Sequence, residues 1–415
     1  QVWNISYLSQ DTPSPCPLTM SDYDRELAAD SVVDVLAPEG RCEGDLADAK
    51  FCRRQFALLS CVFGINLAAV TTPIIYSSSV LVQSTGNACN AVLYGTTLVS
   101  SLFLSTLAYG WLGSKKGFSV SMLAYAVFAF LFALAASMCT QHDQDNLCIA
   151  ANEWQMPVAF AAAFVGGLGA GVLWTCQGAF FSAVCSRVAF AEGRTQSLVT
   201  SELGGSFASY LLLMECFARA LSTVLMRYAK LDPANMFFIF SIIALLVTLL
   251  YMAKSSDMSK EQRTHLCADA MGAIRLWSHP KTWLLQFTNL TFGFAAAYIA
   301  GFVGHNIASK ALSTDFIGFL GAILSAIACV LSRFFSRVAA KVGKGPVMAV
   351  GAIAFFLIGF LSNWAGDTSE WGWKVVVFYI LMGVGRAVYE STNKAIFADF
   401  FRWDESAGAF ANVFV

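Results

Sequence analysis

Ten long apolar runs are the feature that most restricts what this chain can fold into. Each has about 20 residues or more, the length that a helix needs to cross the hydrocarbon of a bilayer. Lipid offers the backbone no hydrogen-bond partners, and the runs are too long for barrel strands, so they are helices. We predict spans at 56–82, 91–113, 117–139, 156–184, 197–227, 234–253, 282–304, 315–337, 346–364 and 374–397.

The composition agrees with an all-α polytopic membrane protein. The chain is 57% hydrophobic and only 13% charged, against about 25% charged for an average soluble domain. Another apolar run, at 407–415, predicts an eleventh span that is cut short. Nucleotide, nuclease and hydrolase signatures are missing, and the glycines of 167–171 lie inside a span rather than after a strand. We therefore expect no enzyme, no cofactor and no nucleic-acid partner.

Basic residues alternate between the loops in phase with the spans. They precede span 1 and follow spans 2, 4, 6 and 8, whereas the loops after spans 1 and 3 have none. Because short cytosolic loops are enriched in Lys and Arg, this pattern predicts an N-terminus on the cytosolic (or stromal or matrix) side. The bases are Lys50, Arg53, Arg54, Lys115, Lys116, Arg187, Arg194, Lys254, Lys260, Arg263, Arg275, Lys281, Arg333, Arg337, Lys341 and Lys344.

Loop length and charge divide the chain into four parts. Residues 1–51 form an acidic polar tail, for which we predict either a short helix at 21–36 or disorder. Six spans occupy 52–253, and the longest inner loop, 254–281, is a polar linker. The remainder, 282–415, is a second half truncated in its eleventh span. Two halves around a central linker are typical of secondary transporters.

Spans 4 and 10 share a pattern. Gly167-Leu-Gly169 is followed by Gln177, and Gly383-Val-Gly385 is followed by Asn393, at a constant offset of 216 residues. Spans 4 and 10 are equivalent positions in parallel six-span repeats. The alternative is that glycine-rich membrane helices resemble one another by chance.

A known family has similar segments. Residues 167–180, with the order Gly, Gly, Trp-Thr-x-Gln-Gly, resemble the span-4 signature of the uncoordinated-93-like branch of the major facilitator superfamily. Residues 383–393 resemble its span-10 segment. The basic turns at 112–117 and 340–345 are similar to the superfamily's span 2–3 signature but lack its usual acidic residue. The resemblance implies a major-facilitator-type fold of two six-helix halves, with the last one to two helices absent from this chain.

Charged side chains inside spans are the strongest candidates for function, since burying a charge in a membrane is costly. Glu215 and Arg219 lie four residues apart in span 5, and Arg386 and Glu390 do so in span 10, so each pair shares a helix face. Arg386 could bind an anionic or zwitterionic substrate, and a carboxylate could bind a coupling proton. The alternative is two structural ion pairs.

Several uncharged groups are further candidates for a substrate or ion cavity. Trp174 and Gln177 lie one turn apart in span 4 and could bind a solute by stacking and an amide bond. Asn66 in span 1 and Asn289 in span 7 occupy roughly corresponding places in the two halves, and Asn393 is the repeat equivalent of Gln177. For each amide the alternative is a hydrogen bond that joins neighbouring helices.

Cysteines predict one disulfide and no metal site. Cys139 and Cys148 would close the loop between spans 3 and 4 if that side is oxidising, and Cys89 with either of them is the alternative. The spacing of Cys and His suits no zinc site.

Two functions follow from these observations. The resemblance implies an accessory or regulatory subunit of a membrane complex or channel, with a protein partner in the bilayer. The internal repeat and the charges within the spans favour a secondary transporter of an ion or small organic solute by alternating access.

Overall fold

A computed structural model describes residues 43–142, 148–256, 271–312, 316–364, 366, 370–401 and 404–413. The predicted helix at 21–36 and part of the predicted linker lie outside these residues. Long helices dominate the described part, and the helices of the spans are, in order, Glu43–Val80, Gln83–Val99, Ser105–Ala136, Gln155–Glu192, Gln196–Arg227, Pro233–Lys254, Pro280–Tyr298, Ile317–Val342, Lys344–Trp364, Val376–Val388 and Lys394–Phe400.

Shorter elements connect and extend the spans. The π-helical segments are Ser100–Leu104, Ile299–Ala308 and Tyr389–Asn393. The short helices are Gly272–Arg275, Leu276–Ser278, Ser309–Leu312, Gly372–Val375 and Asp404–Asn412. The strands β1 (Cys139–His142) and β2 (Cys148–Ala151) pair in antiparallel fashion.

The chain reverses inside the helical stretch Gln83–Ala136. Gly113 adopts φ 70° and ψ −178°, a backbone conformation that favours glycine. Leu93 and Phe128 both lie against Gly166 of span 4, so the chain passes this level of the bundle once before and once after Gly113. Within the described residues, nine stretches are long and apolar enough to cross a membrane, and the reversal at Gly113 divides this one into two helical segments. The ten segments that result correspond to the ten predicted spans.

The bundle has two ends, which we call the amino face and the hairpin face. The amino face is the end at which helix Glu43–Val80 begins, and it carries the turns at Gly113 and Gly343. The hairpin face carries β1 and β2. Gly343, between spans 8 and 9, also has a positive φ of 90°, so both predicted basic turns contain a glycine in a conformation that other residues rarely adopt.

The first helix begins earlier than its apolar run. It starts at Glu43, whereas the hydropathy pattern predicts a span from 56 and a half that begins at 52. Ala49 is 3% exposed, and Asp48 forms an ion pair with Arg187 at 3.0 Å. The ion pair with the helix of span 4 helps to hold extra turns that are too polar to be recognised as membrane-spanning.

The glycines of spans 4 and 10 make corresponding contacts. Gly167 lies against span 2 and Gly383 against span 8, while Gly169 lies against span 3 and Gly385 against span 9. Each glycine sits where an added Cβ would come within 3.0 Å of a neighbouring atom. The shared pattern therefore marks places where helices approach closely.

Spans 5 and 8 form the main contact between the two halves. They run antiparallel, with Gly205 against Ser336 near the amino face and Thr223 against Gly318 near the hairpin face. Small residues at both ends allow the two backbones to come close, as is common between membrane helices.

Candidate functional site

Five buried charged side chains from spans 5 and 10 lie together in the interior, and we call them the central charge cluster. Its members are Glu215, Arg219, Arg386, Glu390 and Lys394. The exposed fraction of these side chains ranges from 2% to 13%. Groups of this kind inside a membrane bundle normally pair with each other and often line ion or substrate pathways.

Glu215 is the centre of the cluster, because it binds two arginines. Arg386 of span 10 donates to its carboxylate from both terminal nitrogens, at 2.9 and 2.5 Å. Arg219, one turn further along span 5, forms an ion pair with the same carboxylate. Arg219 also donates to the Gly321 carbonyl and the Ser325 hydroxyl of span 8, at 3.0 and 3.1 Å. The arrangement ties spans 5, 8 and 10 together.

Arg386 and Glu390 do not form the tight pair that their spacing suggests. Arg386 Nε lies 4.0 Å from Glu390 Oε1, whereas the guanidinium makes its short contacts with Glu215 on the other half. Span 10 becomes π-helical at Tyr389–Asn393, which includes Glu390. In this widened turn, side chains four residues apart no longer lie directly above one another as they do in an α-helix. Glu390 instead accepts a 2.6 Å hydrogen bond from Lys394.

Lys394 links the two halves through an aromatic contact. Its ammonium group lies 4.1 Å from the centre of the Trp174 ring of span 4 and 5.2 Å from that of Phe207 of span 5. Only 2% of the lysine is exposed, so this cation–π contact forms without competing water. Lys394 is not among the predicted site residues, although a lone lysine within an apolar run is a sufficient signal.

The two candidates of span 4 have different surroundings. Trp174 packs edge-on against Phe63 of span 1, with ring centres 4.8 Å apart, and its face holds Lys394. Gln177 is 1% exposed, and its Oε1 has no hydrogen-bond partner. A buried amide oxygen without a partner is unusual in a folded protein.

The structure brings two predicted amides together. Asn393 of span 10 donates to Asn289 of span 7 at 3.0 Å, and its own oxygen accepts from Thr288 at 2.9 Å. Asn289 in turn donates to Gln286 at 3.2 Å. These bonds join spans 7 and 10 within one half.

Asn66 is placed apart from the other candidates. Its amide nitrogen lies 3.3 Å from acceptors on Met122, Ala244 and Thr248, which belong to spans 3 and 6. The side chain is fully buried. This placement corresponds to the helix-joining alternative and differs from that of Asn289, although the two residues hold similar positions in their halves.

A second polar contact joins the halves at the amino face. Lys344, next to the turn between spans 8 and 9, pairs with Asp399 at the end of span 10. The same ammonium donates to Ser197 and Thr200 at the start of span 5, at 3.2 and 2.9 Å. The carboxylate that pairs with this basic turn thus comes from a distant part of the chain.

Cys139 and Cys148 are joined by a disulfide that closes the hairpin of β1 and β2. Cys89 is a buried free thiol. In the part of the chain that the structure describes, no group of three or more His, Cys, Asp or Glu side chains could hold a metal ion.

Comparisons with known proteins agree with this architecture. No family model matches the chain. Protein unc-93 homolog A of Bos taurus is 23% identical over 89% of this chain and 84% of its own length, and that of Mus musculus is 22% identical over 80% and 77%. The proton:xylose symporter XylE bound to 6-bromo-6-deoxy-D-glucose superposes with a TM-score of 0.62, 13% identity, and coverage of 89% of this chain and 86% of that one.

A partially occluded, inward-open XylE from E. coli gives a TM-score of 0.58 at 14% identity and covers 89% of this chain. The chain is therefore a multi-pass membrane protein with the major facilitator fold. In sequence, the chain is similar to the unc-93 homolog A proteins of Bos taurus and Mus musculus.

Proposed function

We propose that this protein is a secondary transporter that moves an ion or small organic solute by alternating access. The main support for this proposal is that buried charges join the two halves, because Glu215 of one half binds Arg386 of the other. Buried ion pairs contribute little net stability compared with apolar packing. Their presence within a transporter fold therefore favours a functional role over a purely structural one.

The cluster has the geometry of an exchangeable contact. Arg386 lies between Glu215 on span 5 and Glu390 on its own helix, at 2.9 and 4.0 Å. A small shift of span 10 against span 5 would transfer the guanidinium from one carboxylate to the other. Arg386 would then keep a carboxylate partner while the halves move apart.

Closure at the amino face supports the same proposal. Lys344 and Asp399 of the second half bind Ser197 and Thr200 of the first half. Opening toward this face requires these polar contacts to break, whereas the bonds around Asn66 remain within the first half. We assign the membrane-spanning part of the first half to 52–253, the linker to 254–281 and the second half to 282–415, with the amino face toward the cytosol (or stroma or matrix).

Solute flux into proteoliposomes that contain the purified full chain tests the proposal. A panel of small anions, cations and sugars identifies what is taken up. We expect Arg386→Met and Glu390→Gln to reduce that flux at least tenfold, whereas Lys281→Met, at an exposed lysine that lies over Phe400, keeps it. Flux that is unchanged in both cluster variants would remove these residues from the mechanism.

An accessory or regulatory role is the second candidate. Its support is that the carboxylates of the cluster already have partners: Glu215 binds two arginines and Glu390 binds Lys394. Such an interior suits a static scaffold for a partner protein in the bilayer. The resemblance of residues 167–180 and 383–393 to the uncoordinated-93-like branch implies the same role. Stable co-purification with a larger complex supports this role, and a monomer that takes up solute would contradict it.

A further inference from the structure

The central charge cluster has an excess of positive charge. It contains three bases and two acids, so it carries a charge of +1 when every member is ionised. Among the described residues, the other acids in ion pairs lie at the amino face and bind other bases. These acids are Asp48, Glu192, Glu202 and Asp399. An uncompensated charge in a membrane interior is expensive and normally has a partner.

Two guanidinium groups in the cluster also have unused hydrogen-bond donors. Arg219 Nε and Arg386 Nε are both buried and have no partner. The nearest carboxylate oxygen to Arg386 Nε, on Glu390, is 4.0 Å away, which is beyond hydrogen-bond distance. Buried donors of this kind are rare in folded proteins. Unlike the net charge, these two donors mark a particular place at which an oxygen or halide acceptor would bind.

From these two observations we infer that the cluster binds one small monovalent anion, at Arg386 and on the side of its Nε. This inference rests on the proposed transport function and names its substrate class. One negative charge neutralises the excess, whereas a dianion would leave the interior with a charge of −1. A carboxylate or a halide both provide the required acceptor.

The geometry suggests how the anion reaches its place. Arg386 is the most accessible member of the cluster, with 13% of its side chain exposed, against 2% for Lys394. The two bases stand on span 10 one turn before and one turn after Glu390, so they flank that carboxylate. An anion at Arg386 can therefore replace a carboxylate as the partner of the guanidinium. The bridge between Arg386 and Glu215 can then open without exposing a bare cation.

Ligand-dependent thermal unfolding of the purified full chain tests this inference. The probes are sodium benzoate, sodium lactate and sodium chloride, followed by the choline salts of the same anions, sodium sulfate at equal ionic strength, and xylose. We expect saturable stabilisation by at least one monovalent anion that does not depend on the cation, and none by xylose. Benzoate and lactate against chloride distinguish a carboxylate site from a halide site. Stabilisation that depends on which cation is present would overturn the inference. So would stabilisation by xylose or sulfate when none of the monovalent anions stabilises the chain.

Two variants with opposite effects distinguish binding from general packing. Lys394→Met makes the cluster neutral, so anion affinity should fall at least tenfold. Glu390→Gln raises the charge to +2, so affinity should rise about tenfold. Lys281→Met, which removes an exposed lysine that also contacts an aromatic ring, should leave affinity unchanged. Equal affinity in all variants, or shifts of the two cluster variants in the same direction, would contradict the inference. If a variant does not fold, the wild-type series decides.

The same proteoliposomes separate this inference from the proposed function. Anion-dependent stabilisation without flux of any probe supports the anion site and contradicts transport. Flux of xylose or choline that is insensitive to benzoate, lactate and chloride supports transport and contradicts the anion site.

Discussion

Spans 4 and 10 have the same packing residues but different chemistry. Their glycines coincide at an offset of 216 residues and contact equivalent neighbours. At that offset, however, Trp174 and Gly178 of span 4 stand where span 10 has Glu390 and Lys394. Two of the three cluster charges on span 10 find partners on the other half: Arg386 on span 5 and Lys394 on the ring of Trp174. The repeat therefore specifies the shape of the bundle, and the differences between its copies specify how the halves are linked.

The largest expected effect comes from removing the partner that Arg386 has on the other half. Glu215→Gln leaves two buried arginines without their shared carboxylate, and we expect a loss of about 3–5 kcal/mol in the free energy of unfolding. Thermal and denaturant unfolding in detergent measure it. Glu202→Gln, whose side chain is 43% exposed at the amino face, is the matched control and should lose less than about 1 kcal/mol. Equal losses would mean that burial does not distinguish the two sites.

Substituting the shared glycines tests whether the two spans really pack alike. A Cβ on Gly167 would lie 2.7 Å from the Leu93 carbonyl oxygen, and one on Gly383 would lie 2.9 Å from that of Leu324. We therefore expect each Gly→Ala variant to lose about 1–3 kcal/mol of unfolding free energy. Gly359→Ala is the control, since its Cβ would meet nothing within 4 Å. A large loss of unfolding free energy in only one of the two variants would show that spans 4 and 10 do not pack alike.

The link between Trp174 and Lys394 should appear as a coupling energy. In a double-mutant cycle with Trp174→Leu and Lys394→Met, we expect about 1–2 kcal/mol of coupling, because the ammonium lies over the ring away from water. Unfolding in detergent of the wild type, both single variants and the double variant provides the cycle. Additive losses would indicate that the two side chains are neighbours without an energetic link.

Sequence patterns predicted those features of the fold that depend on the residues of a single helix. Span number follows from the length of apolar runs, and the close approach at Gly167 and Gly383 follows from small residues at a repeated spacing. The start of the first helix was missed, because hydropathy marks the segment that crosses lipid, whereas Asp48 and its contact with Arg187 stabilise turns outside that segment.

Partner choice between helices could not be predicted in this way. A spacing of four residues indicated Arg386 with Glu390, but it cannot show that Glu215, 171 positions earlier, lies nearer. The same limit applies to Asn66 and Asn289, whose similar positions in the two halves gave no sign that one joins spans 1, 3 and 6 and the other spans 7 and 10. Contacts of this kind depend on the three-dimensional arrangement of several helices.

The smallest expected effect concerns two amides at equivalent positions, so it compares spans 4 and 10 most directly. Gln177 of span 4 has a buried oxygen without a partner, whereas Asn393 of span 10 both donates and accepts. Gln177→Leu removes an unsatisfied group and should change the unfolding free energy by less than about 0.5 kcal/mol, or raise it. Asn393→Leu is its counterpart and should lose about 1–3 kcal/mol, since Asn289 and Thr288 then lose a partner. If Gln177→Leu instead loses as much as Asn393→Leu, its oxygen has a partner in solution, and span 4 then contributes a polar group to the site as span 10 does.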